Sequence, residues 1–347
     1  MSTPAIFDGH NDALLRLYKS GGKPALAGFR SGGPGHIDLP TAKAGNLAGG
    51  LFAIFVPDDG PFDMAAMLKP EYDLPTSPKL EHAPALATTL AQAALLIELD
   101  RLGDVTLCTS AAQIELAITQ GQLAAVMHLE GAEAIGPDLM ELDVLYAAGL
   151  RSIGPVWSRE TIFGHGVPFR FPSTGDTGPG LTDAGKALAR RCAELRMVFD
   201  TSHLTEKGFW DVAEIGLPLV ATHSNAHAVC PHARSVTDAQ LKAIGQTGGM
   251  VGLNFAGAFL RPDGQMRAEG ALEWMVRHLD HMIEHAGEDH VGMGSDFDGA
   301  VVPAEIGSAA GLDALRDAMR AHGYDDALME KLCHRNWIEH LRRTWGE

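Results

Sequence analysis

Eight short apolar runs recur along most of the chain, and each is followed by a segment with a helical pattern. The runs are residues 5–8, 50–56, 123–129, 150–157, 197–200, 218–222, 250–255 and 290–294. Continuous apolar runs of this length are typical of strands that are buried on both faces, as in parallel sheets. Strands that alternate with helices indicate an α/β protein, and eight such units predict a (β/α)₈ barrel of the TIM type.

The segments between the runs contain sequence signals for helices. Ser110 and Thr237 each precede a glutamine by three residues, which is the spacing of a helix capping box. Thr182 or Asp183 is a candidate cap for a helix that ends near residue 196. The other main predicted helices cover residues 84–102, 270–285 and 325–341.

Two long segments that contain several prolines follow the second and fourth runs, at residues 57–84 and 158–181. In a barrel both would lie on the C-terminal face, where active sites are built, and we predict that they are lids or binding loops. An open doubly wound sheet is the alternative fold, but no glycine-rich dinucleotide-binding fingerprint follows any run. We therefore expect one barrel domain over residues 1–347.

The charge and composition of the chain argue against several classes of partner. The formal net charge is −17, whereas nucleic acids and anionic membranes bind surfaces that are rich in Lys and Arg. No apolar run is long enough to span a membrane, and the first residues do not resemble a signal peptide. The four cysteines are scattered and form no CxxC pair. We expect a cytoplasmic protein with reduced thiols and with no nucleic-acid or membrane partner.

Five of the eight runs end in residues that commonly bind metal ions. They are His10 and Asp12 after the first run, Glu130 after the third, His203 after the fifth, His223 after the sixth and Asp296 after the eighth. His10 and Asp12 are two residues apart, so both side chains face the same side of a strand. Imidazole and carboxylate ligands together suit zinc. Three histidines and two carboxylates are enough for two zinc ions if Glu130 bridges them, which leaves Asp296 free for proton transfer.

Six short segments around these residues resemble the membrane dipeptidase family of renal dipeptidase-like metallopeptidases, which are amidohydrolase-type barrels. They occur in the family's order across almost the whole chain: Asp8-Gly-His-Asn-Asp12, His128-Leu-Glu-Gly131, Ser202-His203, Thr222-His-Ser-Asn225, Cys230-Pro-His-Ala-Arg234 and Gly294-Ser-Asp-Phe-Asp-Gly299. The tail Asn336-Trp-Ile-Glu339 also resembles the end of the family's sequences.

The resemblance implies a binuclear zinc site. The implied ligands are His10 and Asp12 for one ion, His203 and His223 for the other, and Glu130 as the bridge.

The resemblance also implies how the site would work. Asp296 would take a proton from the bridging water and pass it to the leaving amine, so Asp296 and Glu130 are the predicted catalytic residues. Arg234 would bind the terminal carboxylate of the substrate, a task suited to a planar guanidinium. The expected partner is a small dipeptide, including one with a D-configured or dehydro C-terminal residue, and the family often forms homodimers.

One position departs from the family's pattern. Trp157 stands where the dipeptidases usually have a histidine that contacts the substrate carbonyl or the tetrahedral intermediate. An indole has one N–H donor and cannot replace an imidazolium. His165 or Arg159, in the loop that follows, is a candidate replacement as an oxyanion donor. We therefore predict that Trp157, His165 and Arg159 contact the substrate.

The leading hypothesis is a binuclear zinc hydrolase that cleaves the amide bond of a dipeptide with a metal-bridging hydroxide. The alternative is a related amidohydrolase that acts on a lactone, an N-acyl amino acid or a phosphoester. Such enzymes often use a carboxylated lysine as the bridge, and no lysine ends an interior run here. A non-catalytic metal-binding or peptide-binding protein is a more remote alternative, which Trp157 keeps open.

A second metal-binding pattern lies outside this set of residues. The segment His281-Met-Ile-Glu284-His285 matches the zinc-binding pattern H-x-x-E-H on a helix. Because that helix lies between the seventh and eighth runs, it belongs to the outer ring of a barrel. We therefore expect it to present a packing or solvated face and not to be part of the active site.

Overall fold

The structure is a computed structural model that describes residues 3–58, 60 and 63–347. Eight parallel strands of the described residues form a barrel sheet. They are β1 (Ile6–Asn11), β2 (Leu47–Phe55), β5 (Ala124–Glu130), β6 (Leu150–Gly154), β8 (Val198–Phe199), β9 (Val220–Ala221), β10 (Met250–Asn254) and β11 (Val291–Gly294). Three further short strands lie outside the ring: β3 (Tyr72–Leu74), β4 (Thr106–Leu107) and β7 (Phe169–Phe171).

The ring of strands is nearly closed. Hydrogen bonding gives the order β8-β6-β5-β2-β1-β11-β10-β9, and β4 pairs with β5 outside this path. The two end strands meet at a parallel bridge between Asp200 and Val220, next to which the Thr201 amide donates to the Val220 carbonyl at 2.7 Å. The predicted (β/α)₈ barrel is therefore confirmed, and the open doubly wound sheet is wrong.

Helices follow the barrel strands and cover the outside of the sheet. Those of the described residues are α1 (Ala13–Lys19), α2 (Leu26–Ser31), α3 (Leu39–Ala44), α4 (His82–Arg101), α5 (Ala111–Thr119), α6 (Met140–Ala147), α7 (Asp183–Glu194), α8 (Glu206–Ile215), α9 (Asp238–Gln246), α10 (Gly257–Leu260), α11 (Leu272–Ala286), α12 (Leu312–His322), α13 (Asp326–Glu330) and α14 (Asn336–Trp345). No helix in the described part of the chain is long and apolar enough to cross a membrane.

Local sequence signals explain several helix starts. Thr237 and Gln240 form the predicted capping box of α9, and Thr182, not Asp183, caps α7. At α5 the Ser110 side chain accepts a hydrogen bond from the Gln113 amide, as a cap should. The predicted last helix is instead two α-helices, joined by a π-helical turn at Lys331–Arg335.

The lower half of the barrel interior is apolar and is closed by the last helix. Trp337 of α14 is fully buried in a cluster with interior strand residues such as Phe7 and Val126. Its indole N–H donates to the Met293 carbonyl at 2.8 Å. Gly292 makes room for this ring, since a Cβ there would lie 2.5 Å from the indole nitrogen. The amino-terminal ends of the strands are therefore sealed by a side chain from the chain's end.

The upper half of the interior is polar because side chains of a strand alternate between its faces. On β5, Ala124 and Val126 belong to the apolar cluster around Trp337. His128 and Glu130 are two and four residues beyond Val126, so they point into the same interior at its carboxyl-terminal end. Because every second side chain of β5 points into the barrel, Glu130 lies at the end on which barrel enzymes build their sites.

The two long loops meet above this end of the barrel. Strand β3 of the first loop pairs antiparallel with β7 of the second, with Tyr72 opposite Phe171. The predicted loop placement on the C-terminal face therefore agrees with the structure, except that residues 59, 61 and 62 of the first loop lie outside the described residues. The fourth strand ends at Gly154, so Trp157 lies in the loop beyond it.

Candidate active site

Six predicted site residues converge at the carboxyl-terminal mouth of the barrel. His10 and Glu130 are strand residues, whereas the other four follow directly after strands: Asp12, His203, His223 and Asp296. Of the six, Asp296 alone is partly exposed, and the others are buried. Residues from five strand ends, far apart in sequence, thus share one small volume, as the barrel topology requires.

Glu130 lies at the centre of the group. One carboxylate oxygen, Oε2, is 3.6 Å from His10 Nε2, while the other, Oε1, is 3.1 Å from His203 Nε2 and 3.6 Å from His223 Nε2. The two oxygens therefore face different histidines. This is the arrangement that a carboxylate needs in order to serve two neighbouring metal ions.

His10 is a buried imidazole whose nitrogens have no hydrogen-bond partner. Neither Nδ1 nor Nε2 forms a hydrogen bond, and the residue has no exposed surface. Buried polar atoms normally have a hydrogen-bond partner, so these two nitrogens are candidate metal ligands. Burial opposes protonation, but the Coulombic attraction of Glu130, Asp12 and Asp296 prevails and raises the pKa of His10 to about 10. The cluster therefore favours a positive charge at this point, which a divalent cation would supply.

His203 and His223 are neutral imidazoles that are oriented by hydroxyl groups. Burial, reinforced by nearby positive charge, holds the pKa of both histidines well below the usual range. Ser158 Oγ lies 3.0 Å from His203 Nδ1, and Thr222 Oγ1 lies 2.8 Å from His223 Nδ1. The Nε2 atoms of the two histidines, which are 3.1 Å apart, thus both face Glu130. Neutral imidazoles held in this way are suitable metal ligands.

Asp200 fixes the hydroxyl that orients His223. Its Oδ2 accepts a hydrogen bond from Thr222 Oγ1 at 2.6 Å, and its Oδ1 accepts from the Thr222 amide at 2.9 Å. Such outer partners fix the direction and basicity of ligand imidazoles.

Asp296 sits at the edge of the cluster and reaches the cavity. Its Oδ2 accepts a hydrogen bond from Asn254 Nδ2 at 2.9 Å, and its amide donates to the His10 carbonyl at 3.0 Å. Burial, with the negative charge of Asp12 as a further contribution, raises the pKa of Asp296. Its φ of 57° is uncommon outside glycine, although aspartate tolerates this region better than most residues. A carboxylate with a raised pKa in a cleft is suited to accept and release a proton.

Arg234 lies beside the histidine pair. Its guanidinium donates to the His223 carbonyl at 3.0 Å and to Ser224 Oγ at 3.4 Å, while its buried Nε has no hydrogen-bond partner. Burial lowers the pKa of Arg234 to about 10, and nearby carboxylates oppose this shift, so the group stays cationic at neutral pH. It therefore keeps a donor available for an anionic group.

A cavity of about 710 Å³ opens above the cluster between the two long loops. It is lined by site residues Asp12, Glu130, His203 and Asp296, and by Trp157 among its apolar residues. The Trp157 ring packs against Phe55 and Phe169, with ring centroids 5.0 and 5.5 Å away. Trp157 therefore contributes an aromatic wall of the cavity, and its contact with the substrate stays a prediction.

The structure does not bring Arg159 to the cavity as an oxyanion donor, so this prediction needs correction. Its side chain is fully buried, and its Nε lies 2.6 Å from Glu133 Oε1. The guanidinium also donates to the Val56 carbonyl and lies 5.3 Å from the Trp157 ring centroid. The donors of Arg159 are engaged by groups of the protein, because a buried cation requires a buried anion.

His165, the other candidate donor, does not line the cavity either. Its neighbour Gly166 forms an antiparallel bridge with Leu204, and the His165 carbonyl accepts a hydrogen bond from the Thr205 amide. These backbone pairings hold the segment against the loop that follows β8. The proposed contact of His165 with the substrate stays a prediction.

Three supporting residues were missed by the sequence interpretation. Ser158, Thr222 and Asn254 hold His203, His223 and Asp296, respectively. Thr222 and Asn254 are polar residues at the ends of apolar runs, which is a signal that could have identified them. Ser158 lies in a loop and has no comparable signal.

The donor set fits metal ions of the zinc type. Imidazole nitrogens and carboxylate oxygens are the ligands that zinc takes from histidine, aspartate and glutamate. His10, Asp12, Glu130, His203 and His223 are the residues that could hold such ions. The buried carboxylates of Asp12 and Glu130 would be costly to bury together without a compensating positive charge.

Several known proteins are similar to this chain. A family model described as membrane dipeptidase, peptidase family M19, matches residues 1–344. A Klebsiella pneumoniae protein described as an uncharacterized protein in the pqqA 5′ region is 49% identical over 246 residues, which are 71% of this chain and 91% of that protein.

Solved structures include a similar protein with a bound ligand. A metallopeptidase from Rhodobacter sphaeroides, liganded with a phosphinate mimic of the dipeptide L-Ala-D-Ala, is 52% identical with a TM-score of 0.96, covering 99% of this chain and 100% of its own. The probable dipeptidase PvdM from Pseudomonas aeruginosa, at 22% identity and a TM-score of 0.82 over 99% of this chain and 96% of its own, shares the fold. Because the family model covers nearly all residues, the chain belongs to the membrane dipeptidase family, peptidase family M19, and is a metallodipeptidase.

Proposed function

We propose that the protein is a binuclear zinc dipeptidase in which Glu130 bridges the two ions. The observation that best supports this proposal is that Oε2 of Glu130 faces His10 while Oε1 faces His203 and His223. Asp12, whose Oδ2 lies 3.6 Å from His10 Nε2, would complete the first ion's ligands.

The proposed substrate is a small dipeptide, including one with a D-configured or dehydro C-terminal residue. The cavity volume of about 710 Å³ admits a ligand of this size. The free Nε of Arg234 is a donor for the terminal carboxylate, and Trp157 would shield the peptide from water. The similar Rhodobacter sphaeroides enzyme, which was solved with a mimic of L-Ala-D-Ala, supports the same class of substrate.

The proposed mechanism assigns the proton transfers to Asp296. When bound, zinc ions would supply a water of lowered pKa and a Lewis acid for the carbonyl oxygen. Asp296 would accept the proton of the attacking water and deliver it to the amine that leaves as the amide bond breaks. Asn254 would keep the carboxylate of Asp296 directed at the cavity through the 2.9 Å hydrogen bond. Arg234 would hold the substrate so that its amide carbon faces the attacking water.

A substrate panel on the zinc-loaded full-length protein tests the proposal. The panel contains the four Ala-Ala stereoisomers, an N-acyl amino acid, a lactone and a phosphoester. We expect hydrolysis of the dipeptides with L-Ala-D-Ala among the substrates. We also expect Asp296→Asn to lower kcat by about 10²- to 10⁴-fold, the range for loss of a general acid–base group. Zinc content should stay at the wild-type level in that variant.

A matched control is Glu160→Gln, which changes a half-exposed carboxylate of the long loop that pairs with Lys79. Its kcat should equal that of wild type. Cleavage of the N-acyl amino acid, lactone or phosphoester without any dipeptide cleavage would favour the related amidohydrolase activities. Retention of full activity by Asp296→Asn would reject the proton-transfer role alone. That the protein acts in the cytoplasm, and as a homodimer, stays a prediction.

A further inference from the structure

A second group of metal-ligand side chains lies on the outer ring of helices, away from the barrel mouth. It consists of Asp238, the first residue of α9, and of His281 and His285 on α11. The ligand atoms of the three residues lie within 4.8 Å of one another. We name this group the outer cluster.

The distances in the outer cluster are close to those of a coordination sphere. His281 Nε2 is 2.7 Å from Asp238 Oδ1, and His285 Nε2 is 3.8 Å from Asp238 Oδ2. Ligands at about 2.0–2.1 Å from a tetrahedral zinc ion are roughly 3.3 Å apart. The two observed separations lie on either side of that value, so small rotations of these partly exposed side chains would bring their ligand atoms to the distances that an ion requires.

The helix explains why the two histidines are paired. Residues at i and i+4 lie on the same face of a helix, and the rings of His281 and His285 have centroids 4.4 Å apart. Their side chains are 20% and 29% exposed, and that of Asp238 is 51% exposed, so an ion from solvent can reach them. His278, one turn earlier, cannot join because it is buried with its two nitrogens engaged by Ala226 and Leu260.

We propose that the outer cluster is a second, non-catalytic metal site that binds a divalent transition metal ion such as Zn²⁺ and fastens α9 to α11. Two imidazoles and one carboxylate suit zinc, copper or nickel better than calcium or magnesium, which prefer oxygen ligands. Three protein ligands leave at least one position for water. The site does not depend on the catalytic proposal, because its residues lie on the outside of the barrel.

The competing explanation is that Asp238 and His281 form only an ion pair. The variant His285→Ala separates the two explanations because it removes a metal ligand and leaves the 2.7 Å contact between Asp238 and His281 in place. A matched control is His322→Ala, which removes an exposed histidine that is 2.7 Å from Asp280. Neither change touches the barrel mouth.

The experiment measures Zn²⁺ binding to metal-stripped full-length protein by equilibrium dialysis and calorimetry, with thermal unfolding in parallel. We expect His285→Ala to bind one equivalent of Zn²⁺ fewer than wild type, or to bind that equivalent about 10- to 100-fold more weakly, which is at least the effect of losing an outer ligand partner. The melting temperature without metal should be unchanged, whereas the increase that Zn²⁺ produces should be smaller. His322→Ala should match wild type.

Asp238→Asn provides an independent check because it removes the carboxylate and keeps the two histidines. It should lose the same equivalent of Zn²⁺ and keep the dipeptidase activity of wild type. If His285→Ala and Asp238→Asn bind as many equivalents as wild type with the same affinity, the outer cluster is an ion pair and the proposal is rejected.

Discussion

Arg234 and Arg159 are two buried arginines near the same cavity whose surroundings give them different tasks. Arg234 has a free Nε beside the histidine pair, whereas the Nε of Arg159 lies 2.6 Å from a carboxylate oxygen of Glu133. A buried guanidinium with an unused donor is available to a ligand, and one that is neutralised by a buried carboxylate supports the structure. The chemical role of a residue at this site thus follows from its partner and not from its type.

Replacement of Arg234 by lysine should weaken substrate binding. A lysine keeps the positive charge but loses the planar set of donors, so it cannot bond the His223 carbonyl and a substrate carboxylate in the same geometry. We expect KM for L-Ala-D-Ala to increase about 10- to 100-fold, because a hydrogen bond to a charged group contributes roughly 1.5–3 kcal/mol. Steady-state kinetics measures this increase. An unchanged KM would show that another group binds the carboxylate.

Replacement of Glu133 by glutamine should destabilise the fold. The change leaves the fully buried guanidinium of Arg159 with only the more distant Asp58, at 3.6 Å, as an anionic partner. Breaking one side of a buried ion pair costs about 3–5 kcal/mol, and we expect a loss of about 3 kcal/mol in the free energy of unfolding by urea. The control Asp143→Asn breaks an exposed pair with Arg191 and should cost less than about 1 kcal/mol. Equal effects of both variants would contradict this interpretation.

At the scale of elements, α11 shows how one helix serves two environments. The face towards the barrel contains buried residues such as Met275, Leu279 and Met282, and the outward face presents His281 and His285. Apolar residues at spacings of three and four give a helix one buried stripe, so the remaining positions are left to solvent. The H-x-x-E-H segment therefore lies on the outer ring, as expected, but the sequence did not show that Asp238 of α9 would stand opposite it.

The buried His278 of α11 should make stability depend on pH. Its Nδ1 accepts from the Ala226 amide and its Nε2 lies 3.0 Å from the Leu260 carbonyl, so the neutral ring is fully bonded. Burial lowers the pKa of His278 from 6.5 to about 4. The folded state therefore prefers the neutral form of His278. The stabilisation that this preference gives the folded state is fully present above pH 6.5. It is lost as the pH falls from 6.5 towards 4, and amounts to about 3 kcal/mol at 1.36 kcal/mol per pKa unit.

Urea unfolding of wild type and of His278→Asn between pH 7 and pH 4 measures this contribution. The asparagine oxygen can still accept a hydrogen bond from the Ala226 amide but does not titrate. We expect the free energy of unfolding to fall less steeply with acid in the variant. Identical pH dependence in the two proteins would show that His278 is not responsible.

At the scale of the whole molecule, the barrel interior is divided by height. The lower part is apolar and is closed by Trp337, and the upper part holds the buried carboxylates and histidines of the site. Carboxylates such as Asp12 and Glu130 repel one another when they are buried close together without a cation. The apolar lower half of the barrel therefore stabilises the fold, whereas the buried carboxylates of the upper half destabilise it unless a metal ion is bound.

Removal of metal from the whole protein should lower its melting temperature. A ligand present at a thousand times its Kd stabilises the folded state by about 4 kcal/mol. Thermal unfolding of zinc-loaded and chelator-treated protein measures the difference, in a His285→Ala background that excludes the outer cluster. In Glu130→Gln the difference should be much smaller, because that variant lacks the bridging carboxylate. Equal melting temperatures with and without metal in the His285→Ala protein would contradict a buried binuclear site.

Local sequence patterns were sufficient for the barrel and for the candidate ligands. The apolar runs predict strands because burial on both faces requires apolar side chains at every position, and the eight runs each correspond to a barrel strand. His10 and Glu130 could be identified as site residues because strand ends of a barrel meet on one face. The catalytic and ligand roles of these residues stay predictions, as does the single domain over residues 1–347.

The pairing of residues that are distant in sequence could not be predicted in the same way. Glu133 neutralises Arg159, Asn254 holds Asp296, and Asp238 stands 2.7 Å from His281. A side-chain contact of this kind leaves no periodic signal in the sequence, because it depends on where two separate elements are placed by packing. Periodicity along the chain thus specified which faces are buried, whereas packing between elements decided which polar groups meet there.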